Sequence, residues 1–134
     1  MNSIHIALAI FLGGLVTLHT DWLFMGDWLY KRFDQNPEIW RYFRGQGEAK
    51  AIAWSAPFPF ITCAAFTLLC VHLRLDSYSA TLGLAFMIWL AAPVPLLVVH
   101  GLFIKLHPAI IVSFCLGWLV KLVVAAIAVS VFSR

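Results

Sequence analysis

An all-α integral membrane protein, a bundle of four spanning helices, is what this sequence predicts, and three observations carry the prediction. Hydrophobic residues make up 63% of the 134 positions and charged residues 11%, whereas soluble domains carry roughly 25% charged residues. A folded chain this small leaves much of its area exposed, so that apolar content needs a bilayer as solvent. Four segments, at about 4–30, 50–73, 80–104 and 109–132, are long and apolar enough to cross one, since a span takes about 20 residues. Five of the nine Lys/Arg (Lys31, Arg32, Arg41, Arg44, Lys50) fall within one twenty-residue window that ends where the second segment begins.

The first segment has no basic stretch before it, and its apolar run exceeds the roughly 7–15 residues of a signal-peptide core. It reads as a retained helix, with Gly13 and Gly14 permitting close approach of a neighbour. In the loop at 31–49, Asn36 is placed to cap a helix that has Pro37 in its first turn and Glu38 near the positive dipole end. Ile39, Trp40 and Phe43 share one side, Arg41 and Arg44 lie elsewhere, and Gly45 and Gly47 end the run. The expectation is a short amphipathic helix on the membrane surface, with a lid or a docking face as the functional alternative. With Lys50 at its end counted, Lys/Arg bias places this loop and the one at Lys105 in the cytoplasm and both termini outside, six basic residues against two. Trp22, Trp28, Trp40 and Trp54 flank the loop as an interfacial belt should.

The second and third segments each carry a Trp followed by Pro-x-Pro: WSAPFPF from Trp54 and WLAAPVPL from Trp89. Each proline removes a donor and clashes with the preceding turn, so both helices should kink or unwind. In an antiparallel pair the two breaks lie within roughly 10 Å of one another in depth. Carbonyls freed there must find partners in protein or in a water-filled cavity.

The fourth segment poses the sharpest question, because Lys121 interrupts a run that is otherwise apolar from Ala109 to Phe132. It lies roughly 18 Å from the nearer edge, close to the midplane. Ionisable groups at that depth face the bundle interior and pair. His19 and Asp21 lie roughly 5–8 Å inside the cytoplasmic end of the first span, Asp27 at its boundary, and His100 near the same end of the third. The expected site is therefore His19, Asp21, Asp27, His100 and Lys121, with Trp118 one turn before Lys121 offering a cation–π contact. A purely structural pair, or a lysine snorkelling to the surface, is the competing reading.

Other chemistry finds little support. Three cysteines (Cys63, Cys70, Cys115) without a CxxC pair read as small buried hydrophobes. His19, His100 and His107 lack any metal-ligand spacing, so no cofactor is expected. Haem held by His19 and His100 is the one alternative their depth allows. The basic loop is explained by the membrane, so no nucleic-acid partner is expected.

The stretch GGLVTLHTDWLFMGDWLYKRF, with Trp22, Phe24, Gly26 and Trp28, resembles the first helix of a family of small bacterial four-helix membrane proteins known mainly as a domain of unknown function. Met25 stands as an insertion between the Phe and the Gly. LGWLVKLVVAAIAVSVF is similar to that family's last helix, where an aromatic residue precedes small residues. The resemblance implies a four-span architecture in a bacterial inner membrane and transfers no activity. Three functions remain open. The first is binding or transport of a small molecule or ion through a polar cleft opening to the cytoplasmic leaflet. The second is an accessory or scaffold subunit that contacts lipid and associates with itself or a larger complex. The third is a compact enzyme using Lys121 or His19 on a lipophilic substrate.

Overall fold

Asn2 begins the first helix by accepting the His5 N–H on its side-chain oxygen at 2.9 Å, a cap that satisfies one of the orphaned amides. The computed structural model describes residues 1–27 and 48–133, apart from the side chains of residues 25–27 and 48. The described elements are α1 (Ser3–Asp21), a π-helical segment (Trp22–Asp27), α2 (Glu48–Ser55), α3 (Phe58–His72), α4 (Tyr78–Ala91), α5 (Pro93–Phe103) and α6 (Pro108–Phe132). They join into four helices able to cross a membrane: Ser3–Phe24, Ala49–His72, Tyr78–Phe103 and Pro108–Phe132. No strand occurs among the described residues. The surface helix expected around 36–44, with Trp28 and Trp40, lies outside them.

Both Pro-x-Pro stretches interrupt their helices. α2 stops at Ser55 and α3 resumes at Phe58. α4 stops at Ala91, and Ala92 leaves helical geometry at φ −124 and ψ −68 before Pro93 opens α5. Proline suits a first helical turn because the amide it lacks would be orphaned there anyway. Backbone bonding continues on both sides of each break, from Ala56 to Ile52 and Ile61 to Pro57, and from Ala92 to Ile88 and Leu96 to Ala92.

α3 ends in a tight reversal in which the Leu75 N–H bonds the Cys70 carbonyl at 2.9 Å and the Arg74 N–H bonds that of Val71 at 3.2 Å. This pattern requires a left-handed residue, and Arg74 supplies it at φ 55. A side chain there costs energy that glycine avoids. Arg74→Gly is expected to stabilise the chain by about 0.5–1 kcal/mol in thermal unfolding from detergent micelles. A lowered midpoint would show that the arginine side chain contributes more than its backbone strain costs.

α6 is the centre of the molecule. It packs along α1 and α4 and also touches α3 and α5, while α1 packs along α3. Its buried positions include Ser113, Gly117, Lys121, Ala125, Ala126, Val129 and Ser130, a helical stripe of mainly small residues that lets neighbours approach closely. Polar contacts fasten the third span to it: Thr81 Oγ1 and Ser130 Oγ lie 2.8 Å apart, and Trp89 Nε1 donates to the Cys115 carbonyl at 2.8 Å. Cys63 and Cys70 are fully buried in the apolar core with Phe66, Ala85, Leu122 and Val129, and Cys115 is half-buried; all three thiols are free. Large apolar side chains such as Phe11, Ile61, Phe86 and Val112 face outward, as a lipid solvent permits.

Candidate functional site: a buried ion pair between the first and last spans

α1 and α6 run antiparallel with their small-residue faces together. On α1 the buried or half-buried positions Gly13, Thr17 and Asp21 recur every four residues, the spacing of one helix face. On α6, Ser113, Gly117 and Lys121 do the same. A side chain built on Gly13 would meet Ala128 Cβ and Cys63 Sγ at 3.4 Å, so both α6 and α3 press on this stripe.

At the end of the stripe Lys121 Nζ donates to Asp21 Oδ2 at 2.7 Å, with side-chain exposures of 4% for the lysine and 18% for the aspartate. Nζ also lies over the Trp118 ring, 4.5 Å from its centroid. Both contacts follow from helix geometry. A helical side chain tilts toward the N-terminal turn, so the long Lys121 stem runs back over Trp118 and toward the late part of α1. A desolvated ammonium needs compensation of this kind.

Two features leave the site incomplete. Asp21 Oδ1 is buried and has no hydrogen-bond partner among the described residues. Lys121 carries three N–H donors, and its partners among the described residues are one carboxylate oxygen and one ring face. Neighbouring polar groups are otherwise engaged. Thr17 Oγ1 donates to the Gly14 carbonyl at 3.0 Å and lies 3.6 Å from Cys63 Sγ. Ser113 Oγ donates to the Phe24 carbonyl at 2.9 Å, in the π-helical segment that begins directly after Asp21. Such wide turns are frequent at functional positions.

The expected cluster is thus only partly assembled. Asp21, Lys121 and Trp118 come together. His19 and His100 do not: both are exposed, and each ring binds back to its own helix through Nδ1, to Leu15 at 2.8 Å and Leu96 at 2.6 Å. The reason for His19 is angular, because two residues along a helix turn by roughly 200°. Matching depth placed it level with Asp21 but on another face. His100 rides on α5, and α1 packs along α3 and α6 instead. Asp27 lies in the π-helical segment, and its side chain is outside the described set. Thr17, Cys63 and Ser113 were missed, although the fourfold spacings 17–21 and 113–117–121 pointed to two of them.

No group of three or more His, Cys, Asp or Glu suited to a metal ion occurs among the described residues. At the other end of the bundle, a shallow pocket of about 220 Å³ lies between Met1, the Arg74–Asp76 turn and Ser133. Comparison of the chain with protein-family models, with curated proteins and with solved structures found no match.

Proposed function

We propose that this four-span membrane protein binds or transports a small molecule or ion at the Asp21–Lys121 pair. The observation that carries the reading is the buried Oδ1 of Asp21, without a donor among the described residues, beside an ammonium whose partners among those residues are one carboxylate oxygen and one ring face. A strut that served packing alone would gain by satisfying both groups, since an unpaired buried acceptor costs about 1–3 kcal/mol. Ionisable side chains inside a membrane are expensive and mark binding and translocation paths. The loop-charge bias supports an orientation with residues 31–49 in the cytoplasm and both termini outside. In a bacterial inner membrane that orientation places the Asp21 end of the first span on the cytoplasmic side. The third span has the smallest buried share of the four, 11% of its most apolar window, and that favours a second reading in which this flank meets lipid or another subunit.

The test asks whether a small molecule reaches the pair. Dicyclohexylcarbodiimide, a lipophilic reagent, activates a carboxyl that it can enter and contact. The Lys121 ammonium gives up one proton as the reagent adds to the Asp21 carboxylate. The neutral Nζ then attacks the activated Asp21 carbon and loses a second proton as the amide forms, both protons ending in the urea. The displaced carboxyl oxygen departs in the urea, so the protein loses the mass of one water. The expected result is a cross-linked peptide joining residues 21 and 121 in native membranes, absent from Asp21→Asn. Neither cross-link nor adduct at Asp21 would mean a site closed to small molecules, and the binding reading would fall.

A further inference from the structure

Resting on that reading, the geometry points to a ligand class: we propose that the site takes a neutral hydroxyl group, carried by a small lipophilic alcohol, which donates to Asp21 Oδ1 and accepts from Lys121 Nζ. Three ligand types compete, and charge separates them. Among the described residues an anion has only one ammonium to meet, and the Asp21 carboxylate already holds it at 2.7 Å. Displacing that carboxylate would leave it buried without its cation, beside a second negative charge. A cation meets the Lys121 ammonium, and the described residues offer no set of three metal-ligating groups.

A neutral group escapes both penalties. The pair has no net charge, so the occupant needs only one donor and one acceptor. A hydroxyl oxygen supplies both from a single atom, which suits two polar atoms that are hydrogen-bonded neighbours. The same chemistry belongs to water, the smaller occupant. Surroundings decide between them. The ring of Trp118 lies against the ammonium, and Trp22 and Leu23, the next two residues after Asp21, are 65% and 57% exposed on a membrane-spanning helix. An amphiphile that keeps its carbon chain in lipid beside Trp22 and Leu23 and its hydroxyl on the pair satisfies both environments with one molecule.

The cross-linking reaction of the full-length wild-type chain supplies the test, in detergent micelles, with 1-hexanol and its methyl ether as probes. The two have similar hydrocarbon bulk, and the ether lacks the donor that Oδ1 requires. Hexanol is expected to slow formation of the 21–121 cross-link about tenfold at about ten times its dissociation constant, while the ether leaves the rate unchanged. Equal slowing by both would reduce the effect to hydrophobic crowding and overturn the proposal. No slowing by either would leave water as the occupant and overturn it as well, while the cross-link itself kept the binding reading standing. If no cross-link forms without additive, both readings fail together. A second readout is thermal: hexanol but not the ether raises the unfolding midpoint of wild type, and the Asp21→Leu/Lys121→Met double variant shows no such difference.

Discussion

Asp21→Ala, made alone, is expected to destabilise the protein by about 3–5 kcal/mol. The change removes the only oxygen partner among the described residues for an ammonium whose side chain is 4% exposed, leaving a charge stranded between α1 and α6. Lys121→Met should cost less, because methionine refills much of the stem's volume and Asp21, at 18% exposure, keeps some access to its surroundings. The double variant Asp21→Leu/Lys121→Met should return to wild-type stability or exceed it by about 1–4 kcal/mol, as apolar replacements of buried pairs do. Equilibrium unfolding in mixed micelles, arranged as a double-mutant cycle, measures all four states. The magnitude separates two accounts. Losing a hydrogen bond between spanning helices costs about 0.6 kcal/mol on average, so a loss of several kcal/mol identifies a stranded charge. A cost under about 1 kcal/mol for Asp21→Ala would mean that Lys121 finds another partner and that the pair does not close.

Much of the architecture could be read from composition and helix-breaking residues, because both act locally. The four spans follow from apolar run length, and the two interruptions follow from Pro57, Pro59, Pro93 and Pro95. The Lys121–Asp21 contact followed from a simple cost: one ammonium in a bilayer seeks a carboxylate, and Asp21 was the carboxylate nearest in depth. What sequence could not supply was azimuth. α6 is apolar on every face, so no amphipathic stripe announces which side is buried. The inward side is marked only by small residues and the fourfold spacing of Ser113, Gly117 and Lys121. The same limit holds for His19 and His100, whose rings bond back to their own helices, because depth leaves rotation about the helix axis free. Nor does sequence show that Oδ1 of Asp21 is left over, since that depends on which polar groups the neighbouring helices bring within reach of it.

Gly14→Leu is expected to destabilise by about 3 kcal/mol and to abolish the 21–121 cross-link. A side-chain carbon on Gly14 would overlap Cδ1 of Phe60 and lie 2.7 Å from Cε1 and 2.8 Å from Cγ, so the ring covers the glycine. Phe60 cannot easily withdraw. It follows the buried Pro59 in the first turn of α3, and its ring lies 6.4 Å from that of Phe11 on α1. Any larger residue at position 14 must therefore push α1 away from α3. Asp21 lies two turns along α1 from Gly14, and its bond to Lys121 spans only 2.7 Å, so a shift of an ångström or so separates the pair. Gly101 is the control. A carbon there overlaps Cδ1 of Ile111, the far end of a flexible chain that can rotate aside. Gly101→Ala should be neutral or should stabilise by up to about 1 kcal/mol, through helix propensity. Gly14→Ala should fall between these limits, and trimming Phe60 to leucine in that background should recover part of the loss. Equal tolerance of alanine at positions 14 and 101 would show that α1 does not sit as close to α3 as the ion pair requires.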